Sequence, residues 1–286
     1  VFFGSRRSGA ARADSWSAYD LFVVVDRYGA FYRALHRGGL IHRSPWLMAA
    51  VSRILPPSQV SLRLHDAEGG SLHAKCSVIE MRAFLRETSA RRRDHFCIGR
   101  LFQPAEAICT ADQAAADDVL SALVSAHVET YAWVRPWLPE AFDAEAYCRR
   151  LLEVSLGQEI RPEPEGRAQA LFAAQREEIV PAYDLLLREL AAAGDLRAAG
   201  EKGFALARPV GSLERLRVRG YFLRSLVRAT LRWGKHMVTF EDWLDYILRK
   251  VRRHGGGDIE LSERERRLPL LFLWPRLFRY LRHKDH

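Results

Sequence analysis

The chain lacks the features that define several large protein classes. No run approaches ~20 uninterrupted apolar residues, the length a bilayer-spanning helix needs. The longest apolar-rich stretch, Leu268 to Leu281, is broken by Pro269, Pro275, Arg276 and Arg279. The four cysteines, Cys76, Cys97, Cys109 and Cys148, show no Cys-x-x-Cys spacing. Neither a zinc site nor a disulfide framework is indicated, and a reducing compartment is expected. Lysine is scarce: of 44 basic residues only five are Lys and 39 are Arg, a bias that a GC-rich genome produces without selection for phosphate binding. There is no opening Met, no internal repeat and no low-complexity tract. Val1 stands in an apolar run, so a trimmed N-terminus is expected and targeting signals are not readable.

What is present is ordinary globular material. The 286 residues are 48 % hydrophobic and 28 % charged, enough to bury a core and sized for one large or two modest domains. The net charge is +9 and the pI about 9.7, which points to a polyanion or an anionic surface as partner. That excess is localised. From Leu213 to His286 there are 18 Lys+Arg against 9 Asp+Glu, leaving 26 of each in the remainder.

Composition divides the chain into three segments. Residues 1–110 mix short apolar runs with Gly and Pro. Val1-Phe2-Phe3 and Leu21 to Val25 read as strands, and Ala30 to Leu35 and Pro45 to Leu55 as helices. Val60 to Leu64 and His73 to Ile79 read as a hairpin across Glu68-Gly69-Gly70, and Arg82 to Arg93 as a basic helix. Residues 111–200 carry helical periodicity over Ala114 to Thr130, Asp143 to Gly157 and Glu165 to Ala193. Residues 201–286 are basic, with helices expected over Leu213 to Trp233 and Phe240 to Arg253. The expected class is α+β: an N-terminal mixed sheet with helices, a mostly helical domain, and a basic helical C-terminus.

The chemical signal lies near the N-terminus. Gly4-Ser5 follows an apolar run, and fifteen residues later Asp20 opens the strand Asp20-Leu21-Phe22-Val23-Val24-Val25-Asp26. This pattern resembles the DNA polymerase β-like nucleotidyltransferase superfamily. In that fold Gly-Ser starts a helix whose N–H groups hold nucleotide phosphate. Carboxylates on the neighbouring strand hold Mg²⁺. The usual Asp-x-Asp pair is incomplete here, because Ala18 stands two before Asp20. The missing ligand would come from Asp26, Asp66 or Asp14. Asp26 reads equally as a strand-end turn residue, and Asp14 as a helix cap.

Further landmarks narrow the resemblance. In chain order they are Ala74-Lys75-Cys76-Ser77-Val78-Ile79, then Phe96-Cys97-Ile98-Gly99-Arg100-Leu101-Phe102-Gln103-Pro104. Ser155-Leu156-Gly157-Gln158-Glu159-Ile160-Arg161 and Ala182-Tyr183-Asp184-Leu185-Leu186-Leu187 follow. Together they resemble the mitochondrial-type CDP-diacylglycerol synthases (phosphatidate cytidylyltransferases), a family that also occurs in bacteria. The likeness covers roughly residues 1–190. It departs at Cys76, where the family has Tyr, and at Arg27, where it has a second acid.

The resemblance implies transfer of a cytidylyl group from CTP to phosphatidate with Mg²⁺, by a bacterial protein peripheral on the inner face of the cytoplasmic membrane. It implies Asp20 and Lys75 as catalytic residues and Gly4, Ser5 and Arg100 as nucleotide contacts. Asp20, Asp26 and Asp66 would be metal ligands, and Glu159 and Arg161 would line the lipid side. The segments become a nucleotidyltransferase domain (1–110), a helical domain completing the substrate site (111–200) and a membrane-docking helical segment (201–286). Lys75 reads alternatively as an edge-strand lysine turned to solvent, and Arg100 as one surface arginine among many. His65, Asp66 and His73 lack a third ligand at metal spacing and read as a solvated hairpin.

Arg217, Arg224, Arg228, Arg232 and Lys235 fall at helical spacing. Arg224, Arg228 and Arg232 are therefore expected to dock an amphipathic helix on an anionic bilayer, or else to face water from a helix packed on the core. Two other functions fit the same residues: a nucleotidyltransferase acting on RNA or a small molecule, and a non-catalytic nucleotide-binding member of the fold. No interleaving of aromatic and basic residues typical of single-strand stacking is evident.

Overall fold

Leu21 to Val25 is apolar at every position, so it requires cover on both faces. The computed structural model, which describes residues 1–4, 6–7, 18–65, 71–158, 166–200 and 203–239, places it at the centre of a sheet. Strands β1 (Phe2–Phe3) and β2 (Tyr19–Val25) are followed by α1 (Tyr28–Arg37), α2 (Pro45–Ile54), β3 (Ser58–His65) and β4 (Ser71–Glu80). The sheet order is β1-β2-β4-β3. β2 and β4 are parallel, and the outer pairs are antiparallel. Helices α3 (Met81–Thr88), α4 (Ile98–Leu101), α5 (Gln113–Val128), α6 (Thr130–Val134), α7 (Ala144–Gly157) and α8 (Arg167–Ala192) follow. The hairpin β5 (Leu196–Ala199)–β6 (Gly203–Leu206) precedes the long helix α9 (Ser212–Thr239).

The expected class, a mixed α+β protein with a mixed sheet, is observed. Alternation along the strands assigns the two faces. Phe22 and Ile79 enter the main core with Phe84, Ile98, Leu101 and Trp133. Val23, Val25 and Val78 pack on Tyr28, Tyr32 and Met48 of α1 and α2. The main core runs on through Leu151, Tyr183, Phe204 and Phe222, so residues from all three compositional segments share it. By compactness the chain divides into Val1–Arg232 and Trp233–His286. No described helix is long and apolar enough to cross a membrane.

Helix boundaries follow local chemistry. Asp112 caps α5 by accepting from Ala115 N at 2.8 Å, and Asp143 caps α7 by accepting from Ala146 N at 2.7 Å. The helix expected over Arg82 to Arg93 stops at Thr88. Thr88 Oγ1 donates back to Phe84 O at 3.0 Å, and Arg93 N donates to the buried Glu87 carboxylate at 2.9 Å. These bonds satisfy the chain in a turn instead of a further helical rung. The β5–β6 hairpin lies inside a stretch whose Ala-rich sequence carries no strand signal. Its pairing Leu196↔Leu206 is held by Gly200 at φ +75° and by the bridge Phe142↔Phe204. The expected helix over Phe240 to Arg253 and the aromatic stretch Leu268 to Leu281 lie outside the described residues.

Candidate functional site

β1 ends at Phe3 opposite Asp20, so the chain turns at Gly4 against the start of β2. Gly4 has φ +87°, and a Cβ built there would lie 2.7 Å from Asp20 Oδ2. Glycine is required twice, once for the backbone angle and once for the approach of the carboxylate. On the other side of β2, Asp20 is in register with Lys75 of β4, which is in turn opposite Ser61. Registered residues of paired strands point to one face. Asp20 and Lys75 therefore share the face that carries Phe22 and Ile79 into the main core. Lys75 is exposed although β4 is an inner strand. It marks the place where the core face opens to solvent.

Two more groups border this face, while Arg6 lies on the opposite side of β2, its guanidinium 4.4 Å from the centre of the Tyr19 ring. Arg7 forms a two-pronged pair with Glu178 of α8, at 3.0 and 2.7 Å, and fixes the chain after Gly4 to that helix. Phe96 meets Phe22 edge-on at 6.4 Å, and the Arg100 guanidinium lies 3.8 Å from the centre of the Phe96 ring. Arg100 is thus carried toward the Asp20 face by an aromatic contact rather than left among the surface arginines. Gly99 has its own reason to be glycine: a Cβ there would meet His95 Cδ2 at 2.7 Å.

His95 joins two of the sequence landmarks. Its ring hydrogen-bonds to Ser155 Oγ at 2.9 Å through Nε2 and to Tyr221 OH at 3.1 Å through Nδ1. Burial, with the nearby charges of Arg92 and Arg100, lowers its pKa to about 3. The imidazole is therefore neutral at physiological pH and serves as a connector, not a proton donor. Two results follow. The His95 ring resonances should not titrate between pH 5 and 8 when followed by NMR. Stability should fall as pH drops from about 6.5, because the unfolded chain takes up a proton that the folded chain refuses.

The residues expected to hold metal are not brought together. Asp26 is exposed at the far end of β2, six residues from Asp20, which is about 20 Å along a strand. One ion cannot span that distance. At that end of the sheet Glu80 accepts from Tyr28 N at 2.8 Å and lies 3.7 Å from Arg53, which supports the start of α1. Asp66, Asp14, Ser5, Glu159 and Arg161 lie outside the described residues. Among the described residues no group of three His, Cys, Asp or Glu forms a metal site. Mg²⁺ bound with a nucleotide takes most of its oxygens from phosphates and water and one or two from carboxylates. Asp20, held at the Gly4 turn, fits that requirement.

The docking stripe expected from Arg224, Arg228 and Arg232 is corrected by the structure. Arg228 and Arg232 turn into the protein and both donate to Asp94 Oδ2, at 2.7 and 2.6 Å. Asp94 and Arg232 are each only 3 % exposed. Arg232 also donates to Pro56 O at 3.1 Å and lies 4.6 Å from the Phe96 ring centre, so it is a second guanidinium on that ring. The cause is electrostatic: a buried carboxylate must be paired, and positions four apart on α9 bring two cations to it. Arg224 alone stays exposed, with its guanidinium 3.4 Å from Arg92 O. Sequence reasoning missed Asp94 and His95. The available signal was an acid among arginines, Arg91-Arg92-Arg93-Asp94, facing arginines at i, i+4 spacing later in the chain. In comparisons with known proteins, no protein-family model and no curated protein matches the chain.

Proposed function

We propose that the chain transfers a cytidylyl group from CTP to the phosphate of phosphatidate, giving CDP-diacylglycerol and pyrophosphate. The observation that carries this reading is the Gly4 turn closed against Asp20 with Lys75 beside it on the next strand. A phosphate turn, a carboxylate and a cation at one open end of the sheet are what attack on an α-phosphorus demands. Further support is spatial. The Gly99-Arg100 segment approaches the same face through Phe96 and Phe22. That approach of the Arg100 landmark to the Asp20 face supports the reading.

The acceptor phosphate is already an anion, so no strong base is needed, and the barrier lies in charge and alignment. A lipid phosphate oxygen forms the new bond to the α-phosphorus as the α–β bridging bond breaks, and pyrophosphate leaves with that electron pair. Lys75 and Arg100 offset the charge of the two phosphates. Gly4 lets the Asp20 carboxylate close against the turn, where it would hold the Mg²⁺ that accompanies the triphosphate. Mg²⁺, when bound with the nucleotide, supplies further neutralisation of the departing pyrophosphate. The protein acts at an anionic membrane surface, peripheral on the inner face of the cytoplasmic membrane.

A polynucleotide acceptor is less well served. The long helix α8 bears Glu177, Glu178, Asp184 and Glu189 among its arginines, and its exposed Arg176 and Arg188 are paired with Glu145 and Asp184. Along α8 that balance gives no continuous track for a phosphate backbone. The test crosses four nucleotides with phosphatidate and with RNA and measures Mg²⁺-dependent pyrophosphate release. Release with CTP and phosphatidate alone is expected, and Lys75→Ala should lower it about 100-fold. Release with RNA, or nucleotide binding with no turnover on any acceptor, would replace this reading.

A further inference from the structure

Helix α9 is apolar on two sides, one buried and one exposed. Its inward side carries Val218, Phe222, Ser225 and Arg232. Its outward side carries Leu213, Leu216, Leu223, Val227 and Leu231, and Leu216 is 66 % and Leu223 64 % exposed. At 3.6 residues per turn these five fall in a stripe about 80° wide and about 27 Å long. Both margins of the stripe are cationic. Arg217 and Arg224 flank one side and Arg215 and Arg219 the other, and all four are exposed. The only acid between Ser212 and Thr239 is Glu214, and it is paired with Arg135 at 3.1 Å.

We infer that this outward leucine stripe is the surface by which the protein lies on an anionic bilayer. An apolar centre bordered on both sides by arginines, with no exposed acid, matches the acyl–headgroup boundary. The leucines enter the acyl region and the arginines meet lipid phosphates. A second copy is the poorer occupant, because stripe-to-stripe packing would set arginine margins against arginine margins. No described helix can cross the membrane, so α9 lies in the interface plane. The inward side of the same helix holds Asp94 and the Phe96 ring through Arg228 and Arg232. The Arg100 segment then stands about one helix diameter, roughly 10 Å, above the headgroups. The docking cations are therefore Arg215, Arg217, Arg219 and Arg224, and the two innermost arginines of the helix serve the fold instead.

Flotation of the full chain with phosphatidylglycerol/phosphatidylcholine vesicles tests this surface without reading turnover, so its failure and failure of the proposed chemistry are distinguishable. The wild type is expected to float with anionic vesicles. Leu216→Ser/Leu223→Ser should weaken that partition at least tenfold, with the circular-dichroism melting midpoint unchanged because both positions are solvent-facing. Arg215→Gln/Arg219→Gln should weaken it on anionic vesicles and leave the weak partition to pure phosphatidylcholine unaltered. Unchanged flotation in the leucine variant overturns the inference. So does a wild-type dimer that the leucine variant converts to monomer without any vesicle binding.

Discussion

Replacing Asp20 with Asn is expected to lower cytidylyl transfer by at least about 100-fold while leaving the melting transition in place. The substitution keeps the shape of the side chain and removes one negative charge at the Gly4 turn, where Oδ2 lies within 2.7 Å of the position a Gly4 Cβ would take. Asp20 is half-buried at the open end of the sheet, and Asn preserves its shape and polar contacts there, so the fold is expected to tolerate the change. Gly4→Ala tests the same corner from the other partner. A non-glycine residue at φ +87° costs about 1–3 kcal/mol, and its methyl group displaces the carboxylate. This variant should lose both stability and nucleotide affinity, whereas Asp20→Asn should lose activity alone. Calorimetric titration with CTP and Mg²⁺, alongside pyrophosphate release, separates the two. Turnover of Asp20→Asn at the wild-type rate would remove Asp20 from the site.

How much of this was legible in the sequence depends on the range of the interaction. The apolar run Leu21 to Val25, the strand pair expected on either side of Glu68-Gly69-Gly70 and the helix starts at Pro45 and Asp143 are local signals, and the corresponding strands and helices form, while the turn residues themselves lie outside the described residues. Gly4 and Asp20 could be singled out as residues, but their meeting rests on antiparallel pairing of β1 with β2. The neighbourhood of Lys75 rests on the parallel pairing of β2 with β4, which no periodicity encodes. The β5–β6 hairpin was illegible because Leu196-Arg197-Ala198-Ala199 forms a strand only by packing under Phe142 and α8.

Helix α9 was legible as a helix and misread as to its orientation. Periodicity finds two unlike faces. It does not say which one turns inward, and here the inward side combines apolar Val218 and Phe222 with the two arginines that pair Asp94. Burying an exposed Leu contributes about 1.5–3 kcal/mol. Leaving Asp94 buried without a partner would cost several kcal/mol. The concentration of positive charge after Leu213 accordingly has two uses, one internal at Asp94 and one on the margins of the outward stripe.

The largest stability effect should come from that internal use. Asp94→Asn leaves the buried Arg232 and the half-buried Arg228 with their carboxylate gone, a loss expected to cost about 3–5 kcal/mol, or about 10 °C in melting temperature for a unit of this size. Arg228→Met and Arg232→Met added to Asp94→Asn should recover much of it, since apolar side chains of similar volume need no counter-charge. The wild-type pH dependence has a definite sign. Burial pushes the Asp94 carboxyl up, but Arg232, the Arg228 hydrogen bond and the Phe96 N–H together hold it below its ordinary value. A carboxyl with a depressed folded pKa contributes stability above its unfolded pKa, about 3.9, and loses it as pH falls through the folded value. Denaturant midpoints should therefore decline in two stages on acidification, from about pH 6.5 through His95 and below about pH 4 through Asp94. The Asn variant should keep the first stage and lose the Asp94 part of the second. Equal midpoints for wild type and Asp94→Asn at pH 7 would show that the pair contributes nothing to holding α9 against the Arg100 segment.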